Sequence, residues 1–230
     1  VALAVPPDIE KVIAATDRTD DDKKLDGGRH PGELLTFLAL PPGARVEEIG
    51  AGTGYTTELL VRAVGPKGKV WAQNSPGFLK FVGKAWEERL HHPAMKGVVR
   101  VDREFDAPFP ADAKNLDAVV NVLTYHDTVW VGVDRDKMNK AVFDALKSGG
   151  EYVIIDHSAA DGHGSSDAKT LHRIEEKTVV DEIERAGFKD SGEGQFLRNT
   201  GDARDWSTAP NAAADKRGTS DRFVIKFVKP

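Results

Sequence analysis

Two sets of residues in this 230-residue chain have types and spacing suited to chemistry. The first is the turn Glu48-Ile49-Gly50-Ala51-Gly52-Thr53-Gly54, which follows an apolar run and precedes the helix-like stretch from Tyr55. Glycines at every second position let a backbone turn tightly and let a ligand approach the main chain. A plain strand-to-helix turn is the other reading. The second set is Tyr125-His126-Asp127, Asp156-His157 and His172-Arg173. A histidine with a carboxylate partner suits a general base near neutral pH. Taken one at a time, each has a structural alternative: His126 bonding a loop backbone, Asp156 capping a helix, Arg173 tied to Asp156 as an ion pair.

Several classes fall away. A dinucleotide fingerprint needs glycine at its first, third and sixth positions, and the sixth here is Tyr55. No Gly-Lys-Ser/Thr follows, so the turn is not a P-loop. The chain has no cysteine, which removes disulfides, thiolate nucleophiles and cysteine-based metal sites. A net charge of -5 argues against a nucleic-acid footprint, since phosphate binding wants a basic face. No apolar run reaches the roughly 18 residues of a spanning helix.

Positioning these groups falls to alternating strands and helices. "RVEEIG", "GKVWAQN", "GVVRVD", "LDAVVNVL" and "EYVIID" read as strands, and "YTTELLVRAV", "FLKFVGKAWEERL", "DRDKMNKAVFDALK" and "DAKTLHRIEEKTVVDEIERAGF" as helices. Helices of this length between strands imply right-handed crossovers and a mostly parallel sheet. The β-rich end "DRFVIKFVKP" predicts antiparallel closure at one edge. Residues 1–42 read as a helical extension of two helices joined by the solvated acidic run "DRTDDDKK", and 43–230 as the α/β domain. "VALA" at the start fits either the end of a removed export leader or a trimmed chain, which leaves cytoplasm and periplasm evenly balanced.

The ordered set "VEEIGAGTG", "GKVWAQNSPGFL", "DAPFP", "LDAVVNVLTYHD", "ALKSGGEYVIIDHS" and "AGF" with its terminal β segment resembles the class I S-adenosylmethionine-dependent methyltransferases from about Arg45 to Pro230. "RHPGELLTFL", "YTTELL", "WAQN" and "LHRIE" resemble, more narrowly, a bacterial group of predicted methyltransferases that often carry an export leader. The resemblance implies a Rossmann-like, doubly wound seven-stranded sheet of order 3-2-1-4-5-7-6 with strand 7 antiparallel. It also implies that Gly50, Ala51, Gly52 and Gly54 pass under the methionine part of S-adenosylmethionine, with Glu48 orienting the loop and Tyr55 and Thr56 opening the helix beside it. Asn74 stands where most members have a ribose-binding acid; an amide can still accept one bond and donate another. Glu104-Phe105 fits the adenine-edge acid and its apolar neighbour, with Asp102 one register away, and Asn121 lies where the fourth strand nears the cofactor.

The resemblance implies methyl transfer to a small molecule, an in-line displacement that must align its acceptor and often deprotonate it. His126, Asp127, Asp156, His157 and His172 are the candidates for that work. A magnesium site built on Asp127 and Asp156 is set aside, because His157 replaces the asparagine that completes such sites, and no metal is expected. Two alternatives stand: a non-catalytic binding protein that kept the fold, and a nicotinamide-dependent oxidoreductase, which the missing acid at Asn74 disfavours. The irregular stretch 198–220 holds a lone Trp206, expected either to dock on the sheet edge or to close over the acceptor site.

Overall fold

The computed structural model of the chain describes residues 5–230; the "VALA" segment lies outside them. The chain enters through α1 (Pro7–Ile13), α2 (Asp20–Arg29) and α3 (Pro31–Leu38), then runs β1 (Arg45–Ile49), α4 (Tyr55–Val64), β2 (Lys69–Asn74), α5 (Pro76–Leu90), β3 (Val99–Asp102) and β4 (Leu116–Val122). It continues through α6 (Tyr125–Trp130), α7 (Arg135–Ala145), β5 (Leu146–His157), α8 (Glu176–Arg185), β6 (Lys189–Gly194) and β7 (Arg222–Val228). Among the described residues the strands form one seven-stranded sheet, β3-β2-β1-β4-β5-β7-β6. β1 to β5 are mutually parallel, and β7 runs antiparallel to both β5 and β6.

The sheet is buried on both faces, which is why its central strands read as continuous apolar runs rather than as alternation. On one face Val46, Val70, Val120, Val153 and Val224 meet Leu59, Leu60 and Val64 of α4 and Leu34, Leu35 and Leu38 of α3. On the other, Trp71, Val119, Ile154 and Phe223 meet Met138 and Val142 of α7 and Val179 and Ile183 of α8. Glu47 points into this second face, flanked in register by Trp71 and Val119, and its carboxyl has no partner among the described residues.

The N-terminal extension departs from expectation. It holds three helices, not two, and part of the acidic run is α2 itself. Thr19 caps that helix by accepting from Asp22 N–H, and the acids of its first turn sit where a helix dipole favours negative charge. Asp22 is buried against Arg89 of α5 (2.7 Å), and Arg18 grips Asp26 with both terminal nitrogens (2.7 Å each). These pairings give the acidic helix an inner face that its composition hides.

The stretch expected as a helix over residues 167–188 is helical only from Glu176; Asp167 to Leu171 form turns, and His172 takes a left-handed φ of 52°. β6, "KDSGEG", is a polar edge strand. Its bulge at Asp190–Gly192 and its exposed face explain why neither pattern nor propensity marks it.

Candidate functional site

β1, β2, β4 and β5 all deliver their C-terminal ends to one rim of the sheet, where ligands of open parallel sheets bind. Beyond Ile49 the chain doubles back into α4 through Gly50 (φ 72°), Gly52 (φ 58°) and Gly54 (φ 87°). The end of β2 braces this turn. Gly50 N–H donates to Gln73 Oε1 (3.0 Å), Ala51 N–H to the Gln73 carbonyl (2.8 Å) and Gly52 N–H to Asn74 Oδ1 (2.9 Å). Asn74 Nδ2 donates back to the Gly52 carbonyl at 3.1 Å. Asn74, expected at the ribose, therefore has both amide functions on the glycine turn. Gln73, which sequence reasoning missed, adds a second brace and ties the turn to the Arg103 carbonyl at 2.6 Å.

The three glycines serve different ends. A Cβ on Gly50 would lie 2.4 Å from Thr124 Cγ2, so this glycine admits the loop after β4. A Cβ on Gly54 would lie 2.6 Å from Trp86, so this one admits α5. A Cβ on Gly52 would meet nothing within 4 Å. Gly52 alone borders open space, a cradle that a side chain would fill. Below the turn, Thr57 of α4 donates its hydroxyl to the buried Glu48, fastening strand to helix. Burial pushes the Glu48 carboxyl up to about 7, with the Thr57 hydroxyl and the nearby Arg29 pulling it down. Thr56 is buried beside it, and Tyr55 donates its hydroxyl to Asp26 of α2 at 2.6 Å.

Arg29 was also missed. Its guanidinium lies over the Tyr55 ring at 4.4 Å, at the start of α4, and among the described residues it makes no ion pair or hydrogen bond. Burial there, opposed by the neighbouring Tyr55 and Glu48, lowers its proton affinity. A half-buried cation beside a glycine turn is a receptor for a carboxylate. No sequence signal links residue 29 to residue 55; only the docking of α2 on α4 joins them.

A cleft of ≈ 510 Å³ continues the rim past β2 and β3, lined among others by Ser75, Phe78, Phe81, Glu104, Phe105 and Trp130. Glu104 lines this cleft, whereas Asp102 is held by Arg100 Nε at 2.8 Å, which separates the two acids left open by the sequence. Phe105 is buried edge-on to Phe78 (centroids 5.7 Å apart) and forms the cleft floor. Asn121, fully buried next to Ile49 in register, leaves both side-chain amide atoms without a partner among the described residues. An orphaned buried amide at the strand end, an open glycine cradle and an unpaired cation fit a polar, zwitterionic nucleoside ligand such as S-adenosylmethionine.

The histidines and acids expected to work together do converge. Asp156, fully buried at the end of β5, accepts from His126 N–H (2.7 Å), His126 Nδ1–H (2.7 Å) and His157 N–H (2.8 Å). His126 Nε2 then faces His172 Nδ1 (3.2 Å) and Asp127 Oδ1 (3.2 Å), while Trp130 Nε1–H donates to Asp127 Oδ1 (2.8 Å). Burial opposes charge on His126, but Asp156 and Asp127 overcome it and raise the imidazole to about 10. Burial would likewise raise Asp127, yet bonds from His126, His172 and Trp130 hold it well below the usual carboxylate range. His157 sits apart, bonded through Nδ1 to the Ser220 hydroxyl at 2.7 Å; burial and the neighbouring His126 keep it neutral. Trp130 belongs to both regions, its indole N–H on Asp127 and its ring in the cleft wall.

Arg173 does not pair with Asp156. It is fully buried and bonds Asp202 (2.8 Å), the Ser158 carbonyl (3.0 Å) and the Trp206 carbonyl (3.1 Å). Trp206 lies over the Arg173 guanidinium (4.8 Å) and donates Nε1–H to Asp202 at 2.7 Å. Thr208 Oγ1 donates to the His172 carbonyl (2.8 Å), so the late loop holds His172 in its left-handed conformation. Trp206 is thus docked on the turn that carries His172. Trp206→Ala is expected to lower stability by about 1–2 kcal/mol through the lost cation–π contact and hydrogen bond. The cofactor affinity should stay at the wild-type value; chemical denaturation and ligand titration of the same variant check both.

Comparison with known proteins bears on this rim. Residues 30–104 match the family model of protein-L-isoaspartate(D-aspartate) O-methyltransferase. The chain is 29% identical over 120 residues to the ubiquinone/menaquinone biosynthesis C-methyltransferase UbiE of Vibrio vulnificus, covering 51% of this chain and 42% of that protein. It is 27% identical over 140 residues to the protein-L-isoaspartate O-methyltransferase of Thermotoga maritima, covering 59% and 39%. The chain therefore spans less than half the length of these relatives. A solved SAM-dependent methyltransferase from Aquifex aeolicus superposes with a TM-score of 0.64 at 21% identity, over 93% of this chain and all of that one.

Proposed function

We propose that this chain, which has the class I S-adenosylmethionine-dependent methyltransferase fold and methyltransferases for relatives, transfers a methyl group from S-adenosylmethionine to a small molecule. The observation that carries the reading is the open cradle at Gly52, braced by Gln73 and Asn74 on the same rim of the sheet as the cleft at Glu104 and Phe105. Gly52 would pass under the methionine part and Arg29 would hold its carboxylate. Glu104 and Phe105 would meet the adenine. The bound cofactor supplies an electrophilic sulfonium methyl. The chain's part is to align the acceptor and exclude water. The acceptor would lie beside Trp130 and His172, the exposed edge of the histidine–acid cluster. Among the described residues no helix is long and apolar enough to cross a membrane.

Titration calorimetry with S-adenosylmethionine, S-adenosylhomocysteine and NAD tests the reading. Binding of the first two and not the third is expected; NAD alone would point to an oxidoreductase, and silence with all three would contradict cofactor binding. One observation favours a second reading, a binding protein without turnover: Asn74 keeps the glycine turn occupied and offers no acid to the ribose. Binding without methyl transfer to any member of a broad acceptor panel would support it.

Arg29→Leu is expected to weaken S-adenosylmethionine about tenfold or more, the cost of one charge-assisted contact. Methylthioadenosine, which lacks the carboxylate, should bind the variant and the wild type equally. A loss shared by both ligands would place Arg29 elsewhere in the site.

A further inference from the structure

Three atoms able to ligate a metal meet at the rim. His126 Nε2 lies 3.2 Å from His172 Nδ1 and 3.2 Å from Asp127 Oδ1, and His172 Nδ1 lies 3.4 Å from Asp127 Oδ1. We propose that His126 Nε2, His172 Nδ1 and Asp127 Oδ1 are the protein ligands of a divalent transition-metal site, of the kind zinc occupies.

The convergence of two imidazoles and a carboxylate carries the assignment, and the edges of the triangle are compatible with it. Three ligands of a tetrahedral ion with bonds of about 2.0–2.1 Å stand about 3.3 Å apart, whereas a facial octahedral set stands about 2.9 Å apart. Edges of 3.2, 3.2 and 3.4 Å match the tetrahedral spacing. The surrounding bonds prepare each ligand. Asp156 accepts from His126 Nδ1–H at 2.7 Å, which turns Nε2 toward the other two, where a metal would take the place of the Nε2 proton; carboxylate–histidine pairs fix metal ligands in this way. Trp130 Nε1–H orients Asp127, and Thr208 holds the His172 backbone. His126 and Asp127 come from α6, and His172 from a turn 45 residues later, kept there by the Arg173–Asp202 pair and the late loop. Among the described residues this is the one group of three histidine, cysteine or acidic side chains with ligand atoms so close together.

The set differs from the magnesium arrangement weighed on sequence grounds. Asp156 is not a ligand but stands behind His126, and two imidazoles replace the oxygen-rich shell that magnesium prefers. His172 is the most accessible of the three, with 27% of its side chain exposed, so the fourth position opens toward the rim and would take water. This inference does not rest on the methyl-transfer reading.

Cobalt(II) and zinc titrations of the metal-free chain test it without any assay of activity. One cobalt per chain is expected, with the intense visible bands of a tetrahedral site, displaced by zinc and not by millimolar magnesium. His172→Ala and Asp127→Asn, each checked for folding by circular dichroism, should lower the affinity by at least tenfold. A wild-type chain that takes up no stoichiometric cobalt would overturn the proposal. So would tetrahedral cobalt binding left unchanged in a folded His172→Ala chain, or weak octahedral spectra only.

Discussion

Gly52→Ala is expected to cost about a hundredfold or more in S-adenosylmethionine affinity while the fold survives. At φ 58° an alanine pays about 1–2 kcal/mol for the left-handed backbone, and its methyl meets no protein atom within 4 Å. The methyl would instead stand in the cradle, against the ligand's path over the turn. A hundredfold change corresponds to about 2.7 kcal/mol, more than the backbone penalty. Gly50→Ala is the contrast: its methyl would strike Thr124 at 2.4 Å, so stability and binding should fall together. Calorimetric titration beside thermal melting separates the two. Equal melting losses in both variants, or unchanged affinity in Gly52→Ala, would remove the ligand from above Gly52.

The second large effect lies in the core. Glu47 carries a buried, unpartnered carboxyl on the central strand, and burial pushes it up to about 9. An acid whose folded value lies above its unfolded value of about 4.3 binds more protons when folded. Its contribution is complete below the unfolded value and is lost as pH rises toward 9, by about 1.4 kcal/mol per pH unit. Glu47→Gln keeps the shape and removes the titration. Near pH 5 the variant should match the wild type within about 1 kcal/mol, and near pH 8 it should be more stable by about 4 kcal/mol. Urea unfolding at both pH values decides this; parallel pH profiles would mean that Glu47 is ionised and paired in the folded chain.

Much of the scaffold was legible because its signals are local. The apolar runs of β1, β2, β4 and β5, the glycine stops and the β-rich end suffice for a mostly parallel sheet with antiparallel closure, and the family resemblance supplied the strand order. What escaped was non-local. The acidic α2 looks solvated until Arg89, 67 residues away, pairs with Asp22. β6 is polar because it is an edge. Arg173 found Asp202 rather than Asp156, since the late loop had to be placed before its partner could be known.

The candidate site divides in the same way. The glycines, His126, Asp127, Asp156 and His172 stood out by type and spacing, and the fold brings them to one rim. Arg29 and Gln73 could not stand out, because their roles depend on which helix lies over α4 and which strand end meets the turn. Asn74 was noticed for its missing charge; its partner, the backbone of Gly52, follows only from the adjacency of β1 and β2.

A crystal structure of the chain grown with S-adenosylhomocysteine tests the central claim most directly. The account predicts the homocysteine part over Gly52, its carboxylate on Arg29, and the adenine in the cleft between Glu104 and Phe105. Density for the ligand elsewhere on the chain, or an empty rim at saturating concentration in crystals whose contacts leave the rim open, would contradict it.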